Sequence, residues 1–225
     1  MSTWSELLDQ TEPFVKLSAD SRRRLAQLGS VRSVLADSYL FHYGDRWPYL
    51  FLVSQGELEA VKTSVEGRSL VVLTLEPGDI FWGLTFFDDR ASIPVALRTL
   101  KDSTIVQWSR EEILPFLLED GEALWSLCGL LVRRMQQAST IVEDLAFQPV
   151  AGRMAKLLLS QYGKAGTTRI ERDLTLDDMA ARVGTTREMV CRVLYKFADQ
   201  DVIDITRTEF SIVDKEQLSK IAGEE

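Results

Sequence analysis

A single histidine, His42, serves all 225 residues. A metal centre built from several imidazoles and a carboxylate is therefore out of reach. Cysteine is almost as scarce. Cys128 and Cys191 stand far apart, with no CxxC pair and no Cys/His cluster. That excludes a disulfide framework, a zinc finger and a cysteine-held iron–sulfur centre. Long apolar runs are missing too, and "LWSLCGLLV" falls far short of a membrane span. The N-terminal "MSTWSELLDQ" has neither the basic nor the apolar region of a secretory leader. These absences predict a protein of the reducing cytoplasm with no membrane partner. No Gly-rich phosphate loop, nucleophile elbow or catalytic triad is visible, so the chain is not expected to be an enzyme.

An excess of positive charge is also lacking. The chain has 26 Lys/Arg against 34 Asp/Glu, a net charge of -8. As a whole it cannot hold a polyanion by bulk electrostatics. The charge is uneven, however: 12 Lys/Arg face 13 Asp/Glu from Gln148 onward, and 14 face 21 before it. The acidity sits in the N-terminal part, and the C-terminal part is near neutral with local basic clusters. The length suits one large domain or two ordinary ones, and a 45% hydrophobic share supports real cores.

What is present changes character along the chain. Residues 4–29 read as one or two short helices, with Ser18 as a cap and Gly29 as a stop in "LSADSRRRLAQLG". From Val31 to Trp108, short β-rich runs alternate with Gly, Asp and Pro punctuation, the pattern of a small sandwich or barrel. A longer helix is expected from about Glu122 to Phe147. Its seam is Leu124, Cys128, Leu131, Met135, Ala138, Val142 and Leu145, in alternating steps of four and three. That is the heptad of a two-stranded coiled coil. A helix buried only on its own domain shows a wider apolar stripe, so a dimerisation helix is expected. Cys128 on this seam is expected to play a small apolar role. Gln148-Pro149 ends the helix.

The C-terminal stretch "LTLDDMAARVGTTREMVCRVLYKFADQDVIDITRTEFSIVD" reads as helix, turn, helix and hairpin. Thr175 with Asp178, and Thr185 with Glu188, look like two capping-box starts. Gly184 suits a turn at positive φ. Met189, Val190, Val193, Leu194 and Phe197 can pack inward, which leaves Arg187, Glu188, Cys191, Arg192 and Lys196 outside. "VIDITRTEFSIV" can fold back as a two-stranded wing, although "TRTEF" lacks the Gly or Asn that favours a tight hairpin. In such a winged helix-turn-helix the second helix enters the major groove of DNA. Arginine is the natural bidentate partner of guanine, and glutamate accepts from cytosine N4. Arg187, Glu188 and Arg192 are thus candidate base readers. Thr186, Lys196, Arg182 and Lys164 are candidate phosphate partners, which position without specifying.

In this order, and over nearly the whole chain, these segments resemble the cAMP receptor protein and FNR (Crp/Fnr) family of bacterial transcription regulators. The resemblance rests on "LFHYGDRWPYLFLVSQGELEAVK" and "LEPGDIFWG" for the roll, with Gly44, Gly56, Gly78 and Gly83. It rests further on "LAFQPVAGRMAKLLL" for the junction and "TTREMVCRVLYKFADQDVI" for the recognition helix. It implies an α+β fold in three parts. Residues 1–120 would form an effector-sensing, cyclic-nucleotide-binding-like jelly roll, a double-stranded β-helix with N-terminal helices. Residues 121–147 would be the dimerisation helix, and 148–225 the winged helix-turn-helix. The resemblance implies a homodimer, double-stranded DNA and RNA polymerase as partners, and a palindrome with half-sites close to TGTGA. It also implies that a signal at the roll acts through the hinge around Phe147 to Pro149.

The sensor departs from the nucleotide-binding pattern. The effector-pocket positions are Phe81, Trp82, Gly83, Leu84, Ile93, Pro94, Ala138 and Ser139. Leu84 stands where that pattern has Glu, and Ile93-Pro94 where it has Arg-Ser. A cyclic phosphate needs a cation and clustered donors, so neither cAMP nor cGMP is expected. The cysteine cluster of an FNR-type sensor is absent from the sequence. Haem stays open, with His42 and either Cys128 or a Met as ligands. "IFWGLTFF" could hold an apolar effector or simply fill the roll. Two rivals remain: a regulatory module without DNA binding, against which Arg187, Glu188 and Arg192 argue, and a cupin-like roll, against which the single histidine argues.

Overall fold

The computed structural model describes residues 3–163, 169–206 and 208–223. They form two compact units, Met1–Lys62 with Val72–Ala138, and Thr63–Val71 with Ser139–Glu225.

In the first unit, single 3-10 turns at Thr3–Asp9 and Phe14–Lys16 lead into α1 (Ala19–Leu28). The Ser18 side chain caps α1 by accepting from the Ser21 N–H. Gly29 does end this helix, but not through a left-handed turn, since its φ is -63. Packing requires it instead: a Cβ there would lie 2.8 Å from Val106 Cγ1.

Eight strands follow: β1 (Ser30–Val34), β2 (Tyr39–Phe41), β3 (Tyr49–Gln55), β4 (Leu58–Thr63), β5 (Ser69–Leu75), β6 (Ile80–Trp82), β7 (Ala96–Thr99) and β8 (Ser103–Ser109). They build two four-stranded sheets, ordered β1-β8-β3-β6 and β2-β7-β4-β5. Side chains alternate across a strand, and β3 and β8 use both faces. Phe51, Val53 and Ile105 point between the sheets, where they meet Leu58, Ala60 and Leu97. Leu50, Leu52, Val106 and Trp108 point the other way, onto Leu25, Ile113 and Leu127. A charge pair is built into the second sheet. Glu59, fully buried, receives a hydrogen bond of 2.9 Å from Arg98 on the neighbouring strand.

Helix α2 (Arg110–Glu119) opens with a capping box of Ser109 and Glu112. Helix α3 (Gly121–Phe147) carries two adjacent stripes. Ala123, Leu127 and Leu130 pack onto the roll. The stripe beside it is the heptad seam, and all seven of its residues are exposed.

The second unit contains α4 (Val150–Tyr162), β9 (Ile170–Glu171), α5 (Leu176–Val183), α6 (Arg187–Asp199), β10 (Ile203–Ile205), β11 (Glu209–Ile212) and α7 (Lys215–Ala222). Met154, Leu158, Met179, Val190, Leu194, Phe197, Phe210 and Leu218 share its core. The wing is a three-stranded sheet, β10-β11-β9, rather than the expected two-stranded ribbon. The third strand enters because Ile170 pairs with Phe210 and so covers the edge of β11. The turn between β10 and β11 closes without glycine. The Thr206 hydroxyl accepts from the Glu209 N–H at 3.0 Å, and the Thr206 N–H donates to the Glu209 carbonyl at 2.9 Å. Helix α7, absent from the sequence expectation, is capped by Asp214 and stopped by Gly223 at φ 76.

Candidate nucleic-acid interface

Two local signals set the reading surface. Thr175 and Asp178 form a full capping box at the start of α5. Gly184 then turns the chain at φ 69, a conformation that glycine adopts without strain. The start of α6 corrects the sequence expectation by one residue. Its N-cap is Thr186, whose side chain accepts from the Met189 N–H, and not Thr185. Thr185 is still part of the turn, because its N–H bonds back to the Ala180 carbonyl at 3.0 Å.

That shift makes Arg187 the first residue of α6 and puts Glu188 directly after it. Val190, Val193, Leu194 and Phe197 are buried. Arg187, Glu188, Arg192 and Lys196 are exposed, and Cys191 is half-buried between them. Tyr195, which pattern reading did not single out, stands on the same outer face and is 70% exposed. The three base-reading candidates are thus brought together on one helix face. Among the phosphate candidates, Thr186 is occupied as a cap, Lys196 is exposed and Arg182 is half-buried on α5. Lys164 lies outside the described residues.

Glu188 is held in its charged form. A hydrogen bond from its own backbone N–H, then one from the Thr186 hydroxyl and the charge of Arg187, keep its carboxyl below the usual range. Arg187 is also engaged: its Nη1 lies 2.9 Å from the Asp177 carboxylate of α5. Behind this surface, Tyr162 fixes α4 to the wing. Its hydroxyl donates to Asp173 at 2.7 Å and its ring lies 4.8 Å from Phe210. Burial, reinforced by the Asp173 hydrogen bond, pushes that hydroxyl above the ordinary phenol range.

Arg153 escaped sequence analysis. Its Nε donates to the Val183 carbonyl at 2.8 Å, and its Nη1 to the Gln148 carbonyl at 2.6 Å and the Asp144 carbonyl at 3.3 Å. One guanidinium therefore ties the end of α3 to the turn that precedes the recognition helix, and reaches the Val183 carbonyl at the end of α5, where helix termini leave carbonyls open. Lys156 supports it through a 2.8 Å pair with Asp144. A Cβ at Gly184 would come within 2.6 Å of Leu145 Cδ2, so this turn packs closely on α3. The only sequence hint was the junction segment itself.

The expected effector pocket does not share one environment. Gly83 is buried and Ile93 is 1% exposed, whereas Leu84, Pro94, Ala138 and Ser139 are exposed. Ile93 packs on Gly83: a Cβ at the glycine would lie 3.1 Å from Ile93 Cδ1 and 2.8 Å from the Trp47 carbonyl. Phe81 is half-buried and stacks on Phe51 at 5.6 Å and near Phe41 at 5.8 Å, while Trp82 is half-buried on the same strand. Trp47 closes the cluster at 5.2 Å from Phe41. His42 is exposed and stacks on Tyr39 at 4.8 Å.

The fold and this surface define a three-part DNA-binding regulator: a roll of the cyclic-nucleotide-binding type, a long helix and a winged helix-turn-helix. A family model of the cyclic nucleotide-binding domain matches residues 31–120, and one of the Crp-like helix-turn-helix domain matches residues 152–221. The chain is 28% identical over 188 residues to the CRP-like cAMP-activated global transcriptional regulator of Mycobacterium tuberculosis, covering 81% of this chain and 84% of that one. It is 27% identical over 187 residues to the cyclic AMP receptor protein of Thermus thermophilus, covering 81% and 83%. Among solved structures, the c-di-GMP responsive global regulator CLP of Xanthomonas campestris is similar in fold, with a TM-score of 0.76 and 22% identity, covering 87% of this chain and 99% of that one. The chain belongs to the Crp/Fnr family of DNA-binding transcription regulators, which are not enzymes. No helix among the described residues is long and apolar enough to cross a membrane.

Proposed function

We propose that this regulator acts as a homodimer that reads a palindrome with TGTGA-like half-sites and answers to a signal other than cAMP. The observation that carries the DNA reading is α6. It buries Val190, Val193, Leu194 and Phe197 and leaves Arg187, Glu188 and Arg192 exposed together. Arg187 and Arg192 can each offer a two-donor edge to guanine, and the anionic Glu188 can accept from cytosine. Dimerisation is supported by the open seam on α3, where Met135 and Val142 are each 66% exposed. A parallel pair of such helices sets two readers about one DNA turn apart.

Against cAMP stands the roll. The position where a cyclic phosphate needs a cation is the buried Ile93, packed on Gly83. Both curated relatives named above are named for cAMP, and the departure at Ile93-Pro94 separates this chain from that chemistry. Haem has no part in the proposal, because an exposed His42 stacked on Tyr39 lacks the enclosed apolar setting of an axial ligand. The signal instead works on the hinge from Phe147 to Pro149, which Arg153 clamps through the Gln148 and Val183 carbonyls.

The test is titration of a fluorescent palindromic TGTGA-type duplex against a scrambled one at fixed salt, with and without cAMP. Preference for the palindrome, unchanged by cAMP, is the expected result. A preference that appears only with cAMP overturns the proposed signal. Equal affinity for both duplexes in all conditions overturns the proposed operator.

A further inference from the structure

Asp177 is an acid on a surface meant for a polyanion. It is the second residue of α5 and is not used to cap it, since Thr175 and Asp178 make the capping box. Its carboxylate Oδ2 lies 2.9 Å from Arg187 Nη1, with the two side chains 67% and 58% exposed. The two residues meet because the Gly184 turn folds the start of α6 back toward the start of α5. A pair this exposed adds little to stability. A carboxylate beside incoming phosphates weakens the electrostatic part of DNA binding. Stability does not account for it, and affinity alone would select against it.

We propose that Asp177 is a positioning residue that raises the sequence specificity of Arg187. Guanidinium has five N–H donors in a fixed fork. Asp177 occupies Nη1, and the opposite Nε and Nη2 edge stays open for guanine N7 and O6. Over the right base, Arg187 keeps both partners and Asp177 stays neutralised. Over a wrong base, Arg187 can still reach a phosphate, but it must leave Asp177 to do so. An unpaired carboxylate then faces the DNA, next to the anionic Glu188. The penalty therefore falls on non-specific docking. The inference deepens the proposed function and rests on Arg187 reading a base.

The experiment is a double-mutant cycle on the full chain, with Asp177→Asn, Arg187→Ala and the double variant. The probes are the duplex that the unaltered protein enriches from a random pool and a scrambled duplex of equal length. Circular-dichroism melts establish that each variant is folded. Asp177→Asn should tighten binding to the scrambled duplex while moving affinity for the selected duplex much less. The ratio of the two should fall about three- to tenfold, the scale of one exposed ion pair per half-site. In the Arg187→Ala background the same change should leave the ratio unaltered. A ratio that survives Asp177→Asn, or falls equally in both backgrounds, overturns the inference and leaves the base reading by Arg187 untouched. Failure of the underlying reading looks different: Arg187→Ala would then leave base preference intact, or no duplex would be enriched at all, and the inference falls with it.

Discussion

In the roll, aromatic side chains turn inward and touch one another; along one face of α6, long polar side chains turn outward. Phe41, Trp47, Phe51 and Phe81 pack ring against ring, stacked, tilted or edge-on, and Ile93 seals the glycine beside them. Arg187, Glu188, Arg192 and Tyr195 stand off a helix whose opposite face is buried. The roll uses its interior for packing, where density decides stability. The reading face holds its donors by a few exposed contacts, which add little to stability. Substitutions in the first region should therefore register in folding, and those in the second in DNA affinity.

The largest effect is expected from Phe51→Ala. Removing a fully buried ring should cost about 3–5 kcal/mol, read as a lower denaturant midpoint, while the folded fraction keeps its duplex preference. A loss below about 1 kcal/mol, far under the range for deleting a buried ring, would mean that the roll has room to spare and would break the contrast. Arg187→Ala should do the opposite. It should cost about 1–3 kcal/mol of binding per half-site and relax preference at one base, with an unchanged melt. Arg153→Ala falls between the two regions. Losing a charged donor from the Val183 and Gln148 carbonyls should cost about 1.5–3 kcal/mol of stability and weaken operator binding together. Faster amide exchange at Thr185 and Thr186 would locate the loss, and exchange confined to α4 would argue against a clamp on the turn.

The smallest effect concerns pH. Because the Glu188 carboxyl is held below its usual range, its charge is present above that range and is lost only as pH falls through the lowered value. Preference at its base should be constant from neutrality down to about pH 5, and fade only below the ordinary glutamate value near 4.3. Fading already at pH 6 would assign the limb to another group.

The parts of this architecture that are legible in the sequence are the local ones. The Thr175–Asp178 box, the Gly184 turn and the spacing of Val190, Val193, Leu194 and Phe197 all act within a few residues. Even there, the spacing to Glu188 singles out Thr185 as the cap, whereas the Thr185 N–H bonds back to Ala180 and leaves Thr186 to cap α6. The wing's third strand is only two residues long, too short for alternation to show that it pairs with β11, and Thr206 replaced the glycine that hairpin statistics ask for. Arg153 looked like any basic residue on a helix, since its partners at Val183 and Gln148 come from different elements.

By itself the sequence determined the order of the parts, the seam along α3 and the outward chemistry of α6. Each of these follows from a residue's own propensity or from side chains three and four apart on one helix. The tertiary structure alone decided that Ile93 closes on Gly83, that Asp177 holds Arg187 and that Arg153 joins the end of α3 to the turn before α6. Those contacts bring together groups from different elements, and distance in space, unlike periodicity, is fixed only once the cores have packed.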